Sequence, residues 1–215
     1  MMNKPIPSKP NRGRPRASGQ DARQALLVAA RQCFTQHPYP AVTTRMLAEH
    51  ANVNASLIRY YFINKKGLYQ HMLADVAKTF RDGIQQHLDT TDENPFSSLL
   101  TAYQRLVTEM PALPQLIFRE LVFNQGQGRQ VVIDNVIKPN AGFLLGLLQK
   151  YQQQHAITAD VPAPHILLST MSLAVMPILM KDVFEQFNHQ PLDNRLLTEL
   201  YQLYAQLLSD YFIHE

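Results

Sequence analysis

The chain is 215 residues long, 46% hydrophobic and 17% charged, with Cys33 as its one cysteine. That length allows one large or two modest domains with a real core, and a lone cysteine excludes an internal disulfide. The formal charge of +3 is unevenly divided: residues 1–69 carry eleven Lys and Arg against Asp21 and Glu49, a net +9, whereas residues 70–215 carry nine against fifteen acids, a net −6. A basic head on an acidic body is the footprint of a protein that meets a polyanion with one end and keeps the other away from it.

The N-terminus, MMNKPIPSKPNRGRPR, is polar and proline-rich and has no apolar region of the signal-peptide kind. The longest apolar run, residues 166–180, is interrupted by Ser169, Thr170, Ser172 and Pro177 and falls short of the ~20 residues that span a bilayer. The expectation is a cytoplasmic protein with no membrane partner. Cys33 sits beside Phe34 on an apolar helix face, which predicts a plain buried thiol rather than a nucleophile.

Taken in order, the predicted elements are all helical. Residues 1–17 read as a disordered basic arm. Ser18 with Asp21 three positions on is a capping-box pattern, after which Leu26, Ala30, Cys33 and Phe34 repeat at helical spacing until Pro38. Thr43 or Thr44 can cap a short second helix containing Met46, Leu47 and Ala48. Ala51, Asn52 and Val53 then form a tight turn in which Asn52 can take positive φ. Asn54 can cap a third helix ending near Phe62. Three short helices around one tight turn are the helix-turn-helix arrangement, predicted over residues 18–66.

In the third helix Ile58 and Phe62 share an inward face with Val53, leaving Ser56, Arg59 and Tyr60 to point elsewhere. Such a face can read a duplex: Arg59 and Ser56 can bond to bases or phosphates, Tyr60 and Tyr61 can meet thymine methyls and phosphates, and Lys65 can clamp the backbone. A solvated basic edge with half-buried tyrosines is the other reading of the same string.

The segment VTTRMLAEHANVNASLIRYYFINKKGLYQHML, preceded by an amphipathic helix and a Tyr39-Pro40 turn, resembles the DNA-binding domain of TetR/AcrR-type bacterial transcriptional regulators. The resemblance runs from about Ala22 to Leu73. It implies that Thr44 and Arg45 touch phosphate and flanking bases, that Ala55, Ser56, Leu57, Arg59, Tyr60 and Tyr61 face the major groove, and that Lys65 takes a phosphate. Asn52 replaces the family's common turn glycine, and Arg59 stands where tyrosine is usual, so the preferred operator should differ from that of tyrosine-bearing relatives. In the arm, RGRPR resembles a minor-groove hook in which Arg14 and Arg16 enter a narrow A·T-rich groove; a solubilising tail is the alternative.

Beyond Gly67, Leu68, Met72, Val76, Phe80, Ile84 and Leu88 form a helical stripe that predicts a long fourth helix joining the bundle to a body over residues 67–215. A turn is expected at 89–95, and helices at about 96–110, 114–124, 129–153 with a break at Pro139, 164–187 and 192–212. The last carries two adjacent stripes, Leu196, Leu200, Leu203 and Leu207 beside Leu197, Tyr201, Tyr204 and Leu208. Two stripes suit burial against both the body and a second copy, and the resemblance implies a homodimer through the last two helices; wide core packing in a monomer is the alternative.

The resemblance also implies an effector cavity, for which Phe80, Tyr103, Phe118, Phe123, Phe143, Met171 and Met176 are the apolar candidates. Arg119, next to Glu120, is a candidate polar handle, with an ion pair or solvent exposure as alternatives. Enzyme signatures are missing: there is no glycine-rich phosphate loop, no nucleophile elbow and no metal-spaced cluster, and the His71/Asp75 pair lacks a third ligand. The expectation is therefore an all-α chain, an N-terminal three-helix helix-turn-helix DNA-binding domain plus a C-terminal helical ligand-binding and dimerisation domain, with no cofactor. It implies a regulator, a repressor released from a palindromic double-stranded DNA operator by a small apolar effector. The alternative is an architectural or partner-recruiting DNA-binding protein without an effector.

Overall fold

A computed structural model describes residues 19–90 and 95–213. The expected arm with Arg14 and Arg16, the Ser18 cap and most of the 89–95 turn lie outside the described residues. Among those described there is no strand.

Helix α1 (Gly19–Gln36) ends before Pro38, whose ring cannot continue it. A 3-10 turn, Tyr39–Ala41, leads to α2 (Thr44–His50). Thr43, not Thr44, caps α2, its hydroxyl accepting from the Met46 amide at 3.1 Å. Asn52 takes φ 52 in the turn, as its side chain permits, and Asn54 Oδ1 accepts from the Ser56 amide at 2.9 Å at the start of α3 (Ser56–Phe62). Helix α4 begins at once and runs over Lys65–Thr90, continuing through the first residues of the expected turn.

The body comprises α5 (Pro95–Glu109), α6 (Leu113–Val122), α7 (Gln127–Val132), α8 (Lys138–Gln153), α9 (Ala163–Leu179), α10 (Lys181–Asn188) and α11 (Asn194–Phe212). The expected break at Pro139 takes another form. A π segment, Ile133–Ile137, joins α7 to α8, with the Lys138 amide reaching back to the Ile133 carbonyl. Pro139 has no amide for the Asn135 carbonyl and crowds it, so the chain widens by one residue per turn and carries on. The stretch Gln127–Gln153 is long and apolar enough by composition to cross a membrane; here Val131, Val132, Val136, Leu144 and Leu148 are buried in the two cores, and Val136 and Leu144 also line a partly open cavity. The single helix expected over 164–187 is two: Pro177 ends α9 within a turn, and α10 departs at 63°.

Two apolar cores are built on α4. The first holds Phe34, Tyr39, Ile58, Phe62 and Tyr69, and it does not stop at residue 66: Leu68, Met72 and Leu73 of α4 belong to it, as do Leu116, Val131, Val132 and Val136 of the body. The second gathers Phe80, Ile84, Phe96, Leu100, Tyr103 and Tyr201 with α9 and α11. Each fully buried Leu or Phe contributes about 1.5–3 kcal/mol. The two stripes of α11 part company: Leu197, Tyr201 and Leu208 are buried, while Leu203 and Leu207 are 54% and 53% exposed.

Candidate nucleic-acid interface and adjoining cavity

Helix α3 is held by burial of Ile58 and Phe62, each 1% exposed. That fixes what the other face presents. Ala55, Ser56, Arg59 and Tyr60 are exposed; Leu57 and Tyr61 are half-buried and packed on the bundle core. The Tyr60 ring, 77% exposed, stands edge-on to Tyr61 with centroids 4.7 Å apart. Arg59 makes no hydrogen bond or ion pair among the described residues, so its guanidinium is free for an outside acceptor. At the N-terminus of α2, Thr44 and Arg45 are also exposed, and Arg45 Nε bonds Glu49 at 2.8 Å across one turn. Both helices thus expose donors, and α3 exposes an aromatic ring as well.

Lys65, expected to clamp a phosphate, is turned inward. Its ammonium donates to the carbonyls of Tyr39 and Val42, each at 2.9 Å, and lies 4.3 Å from the centroid of the Tyr39 ring. Burial lowers its pKa from the ordinary lysine value. It ties the 3-10 turn to the start of α4, and the cation left facing solvent is Lys66. Between α3 and α4 lies Ile63, with φ 70 and ψ −48, where the Asn64 amide reaches back to the Phe62 carbonyl at 2.8 Å. The buried Cys33 thiol has its pKa raised by desolvation, as a core cysteine should.

Farther along α4 lies a cavity of about 440 Å³. Four of the eight residues expected there line it: Phe80, Tyr103, Phe118 and Met171. Phe80 meets Tyr103 edge-on, centroids 6.2 Å apart, and burial raises the pKa of the Tyr103 hydroxyl above the tyrosine range. The other four are corrections. Phe143 is not part of the cavity wall and packs on the body core. Phe123 follows the end of α6 and is 73% exposed. Met176 opens on a separate groove shared with Phe184, Leu196 and Leu200. Arg119 points into the DNA-binding bundle, donating to the Phe34, Thr35 and His37 carbonyls. Sequence reading missed the aliphatic wall, including Ile117, Leu121, Val136, Leu144 and Val175; its signal was the i, i+3, i+4 spacing on α6 and α8 rather than any aromatic. The one amide side chain on the wall, Asn140, already accepts from Arg81 at 2.7 Å.

An exposed arginine and tyrosine face on the second helix of a tight-turn pair, attached to an all-helical body, defines a helix-turn-helix DNA-binding protein. Comparison with known proteins narrows the class. Residues 26–72 match the family described as "Bacterial regulatory proteins, tetR family". The chain is 26% identical over 179 residues, 77% of its length and 83% of the other's, to the "Probable HTH-type transcriptional regulator YttP" of Bacillus subtilis (strain 168). It is 28% identical over 159 residues, 69% of its length and 70% of the other's, to the "Probable acrEF/envCD operon repressor" of Escherichia coli (strain K12). Its fold is that of the fatty acid degradation regulator FadR from Bacillus halodurans, with a TM-score of 0.69 and 19% identity over 87% of this chain and 94% of that one. Residues 26–72 thus carry a TetR-family DNA-binding domain, and over most of its length the chain is similar to bacterial transcriptional regulators.

Proposed function

We propose that this regulator is a cytoplasmic repressor that sits on a palindromic operator as a homodimer and leaves it when a small apolar effector enters the cavity beside α4. The observation that carries the reading is the cavity itself. A space of about 440 Å³ walled almost wholly by carbon forgoes dispersion contacts that a solid core would keep, and it lies where Phe80 of α4 forms part of the wall. An architectural protein without an effector has no use for it. Because the wall offers no free charge, a charged head group buried there would go uncompensated; the effector is neutral, or holds its polar end outside. The fatty acid connection in the name of the FadR protein, which shares this fold, agrees with an aliphatic ligand.

On the DNA side, Arg59, Tyr60 and Ser56 read bases, with Ala55, Leu57 and Tyr61 shaping the fit to the major groove. Thr44, Arg45 and Lys66 take phosphates, Arg14 and Arg16 reach the minor groove, and one spare proton on Lys65 remains for a neighbouring phosphate. The exposed stripe of α11, with the groove it forms against α9 and α10, covers itself in a two-fold dimer. One short helix reads few base pairs, so two are needed for useful specificity. Helix α4 is the lever: its first turn adjoins the recognition helix α3 and its middle touches the cavity. Fluorescence anisotropy on an operator selected from random DNA, with and without a series of aliphatic alcohols, tests the reading. Loss of affinity with increasing chain length is expected; unchanged affinity at saturating ligand overturns it.

A further inference from the structure

Two polar side chains stand in the wall of the cavity beside α4, Tyr103 of α5 and Asn140 of α8; the other side chains lining it are apolar. Tyr103 is 6% exposed. Its ring is held edge-on between Phe80 and Tyr201, with centroids 6.2 and 6.4 Å away. The two neighbouring tyrosines differ in how their hydroxyls are satisfied. Tyr201 donates to the Ala174 carbonyl at 2.6 Å, whereas the Tyr103 hydroxyl makes no hydrogen bond among the described residues. Burial raises its pKa, so it keeps its proton at neutral pH.

Asn140 has its acceptor occupied, since Oδ1 accepts from Arg81 Nη1 at 2.7 Å. Its amide nitrogen is left, and that is a donor. The side chains of the wall therefore hold spare donors and lack a spare amide or carboxylate acceptor. A phenol oxygen can also accept, but a ligand hydroxyl that used it would leave the phenol's own proton unbonded. A ligand acceptor satisfies that proton outright.

We propose that Tyr103 selects the effector, and that the effector is a neutral aliphatic molecule bearing a ketone or ester carbonyl, to which the Tyr103 hydroxyl donates. The inference rests on the effector reading above and narrows its ligand class. A carbonyl gives up its bonds to water on entering a wall of carbon, and one donor at a fixed place offsets that loss. A plain hydrocarbon leaves the hydroxyl unbonded, and a carboxylate brings a charge that the wall does not balance. Because Phe80 and Tyr201 fix the ring, the position of the carbonyl along the chain matters as well as the chain's length. A site built to bond a ligand's polar group discriminates strongly against analogues without it.

The test uses three probes of one chain length, nonane, 2-nonanone and 5-nonanone, and the full-length protein as wild type, Tyr103→Phe and Asn140→Ala. Binding is measured by equilibrium partition from the vapour, and operator affinity by anisotropy in parallel. The better-fitting ketone is expected to bind Tyr103→Phe about tenfold less tightly than wild type, while nonane binds the variant at least as well. Asn140→Ala is expected to keep the ketone preference. The infrared stretch of an isotopically labelled carbonyl should lie lower in bound wild type than in hydrocarbon solvent, a sign of a donated hydrogen bond that ring packing alone does not produce. This last measurement needs no variant, so it decides the matter even if Tyr103→Phe fails to fold. A stretch unchanged from hydrocarbon solvent, equal ketone binding by wild type and folded Tyr103→Phe, or a loss confined to Asn140→Ala overturns the role of Tyr103 and leaves the effector reading standing. Ketones that bind through Tyr103 without weakening operator affinity overturn the effector reading and leave the contact standing. A wild-type cavity that takes up none of the probes overturns both.

Discussion

The ammonium of Lys65 sits 4.3 Å from the centre of the Tyr39 ring and bonds the carbonyl of that same residue, 26 positions earlier in the chain. It is a structural cation at the seam between the 3-10 turn and α4. Lys65→Met leaves the Tyr39 and Val42 carbonyls without their charged donor, a loss of about 1.5–3 kcal/mol. Thermal melting should show a lower Tm, and operator and random DNA should be bound less well through partial unfolding. An unchanged Tm would sink the assignment.

Arg59 and Lys66 should separate as base reader and phosphate contact. Arg59→Ala is expected to cost about 1–3 kcal/mol on the preferred operator and to relax preference at one base pair. Lys66→Ala should weaken every sequence alike and reduce the salt dependence of binding. Anisotropy titrations on operator variants at two salt concentrations make the comparison; equal losses on operator and random DNA for both variants contradict it.

Leu203 and Leu207 are half-exposed on the outer stripe of α11, so a charge there costs the isolated fold little. In a dimer it would be buried without a partner. Leu203→Glu and Leu207→Glu should sediment as folded monomers at micromolar concentration and lose operator affinity. Wild-type protein that is itself monomeric refutes the interface.

Tyr69 is fully buried, its hydroxyl lacks a hydrogen-bond partner among the described residues, and its ring packs on Phe34 and Tyr39 with centroids 4.4 and 5.1 Å away. Burial first, and the negative charge of Glu120 second, raise its pKa above the ordinary value of 10.0. A raised folded-state pKa means the folded protein holds this proton more tightly than the unfolded chain. The resulting stability is fully present below pH 10.0 and is lost as pH rises from there toward the folded pKa. Tyr69→Phe should therefore hold or raise stability at neutral pH, by up to about 1 kcal/mol, and should lose less of it on the alkaline side. Denaturant melts at pH 7 and above pH 10 make the comparison: the variant's advantage should widen as pH rises, and curves that stay parallel contradict the assignment.

Ile63 is 78% exposed at φ 70, where a β-branched residue is strained. Ile63→Gly removes that strain and little packing, and the net gain after glycine's greater unfolded-state entropy is about 1 kcal/mol. A lower urea midpoint for the variant contradicts this.

What the sequence made legible was local. The Pro38 stop, the Asn52 turn and the Asn54 cap are each written in residues a few positions apart, and so is the inward pair Ile58 and Phe62. What it hid was set by distant partners. Lys65 looked like any cation after a recognition helix because its acceptors are backbone carbonyls 23 and 26 residues away. Arg119 looked like a ligand handle because its acceptors lie 82 to 85 residues back. Half of the expected cavity residues failed for a related reason: large apolar side chains were taken as the signal, whereas which face of α8 or α9 turns inward depends on the π segment before Pro139 and the bend after Pro177.

The core of the DNA-binding bundle takes Leu116, Val131, Val132 and Val136 from the body. A fragment cut after Lys66 would carry the reading surface but lose Leu68, Met72 and Leu73 together with that wall, so the bundle is not an autonomous module. Exchanging DNA specificity between relatives by swapping N-terminal segments would leave two halves of one core with mismatched shapes. The workable recombination unit is the exposed skin of α2 and α3, a handful of side chains changed on a bundle that stays with its own body.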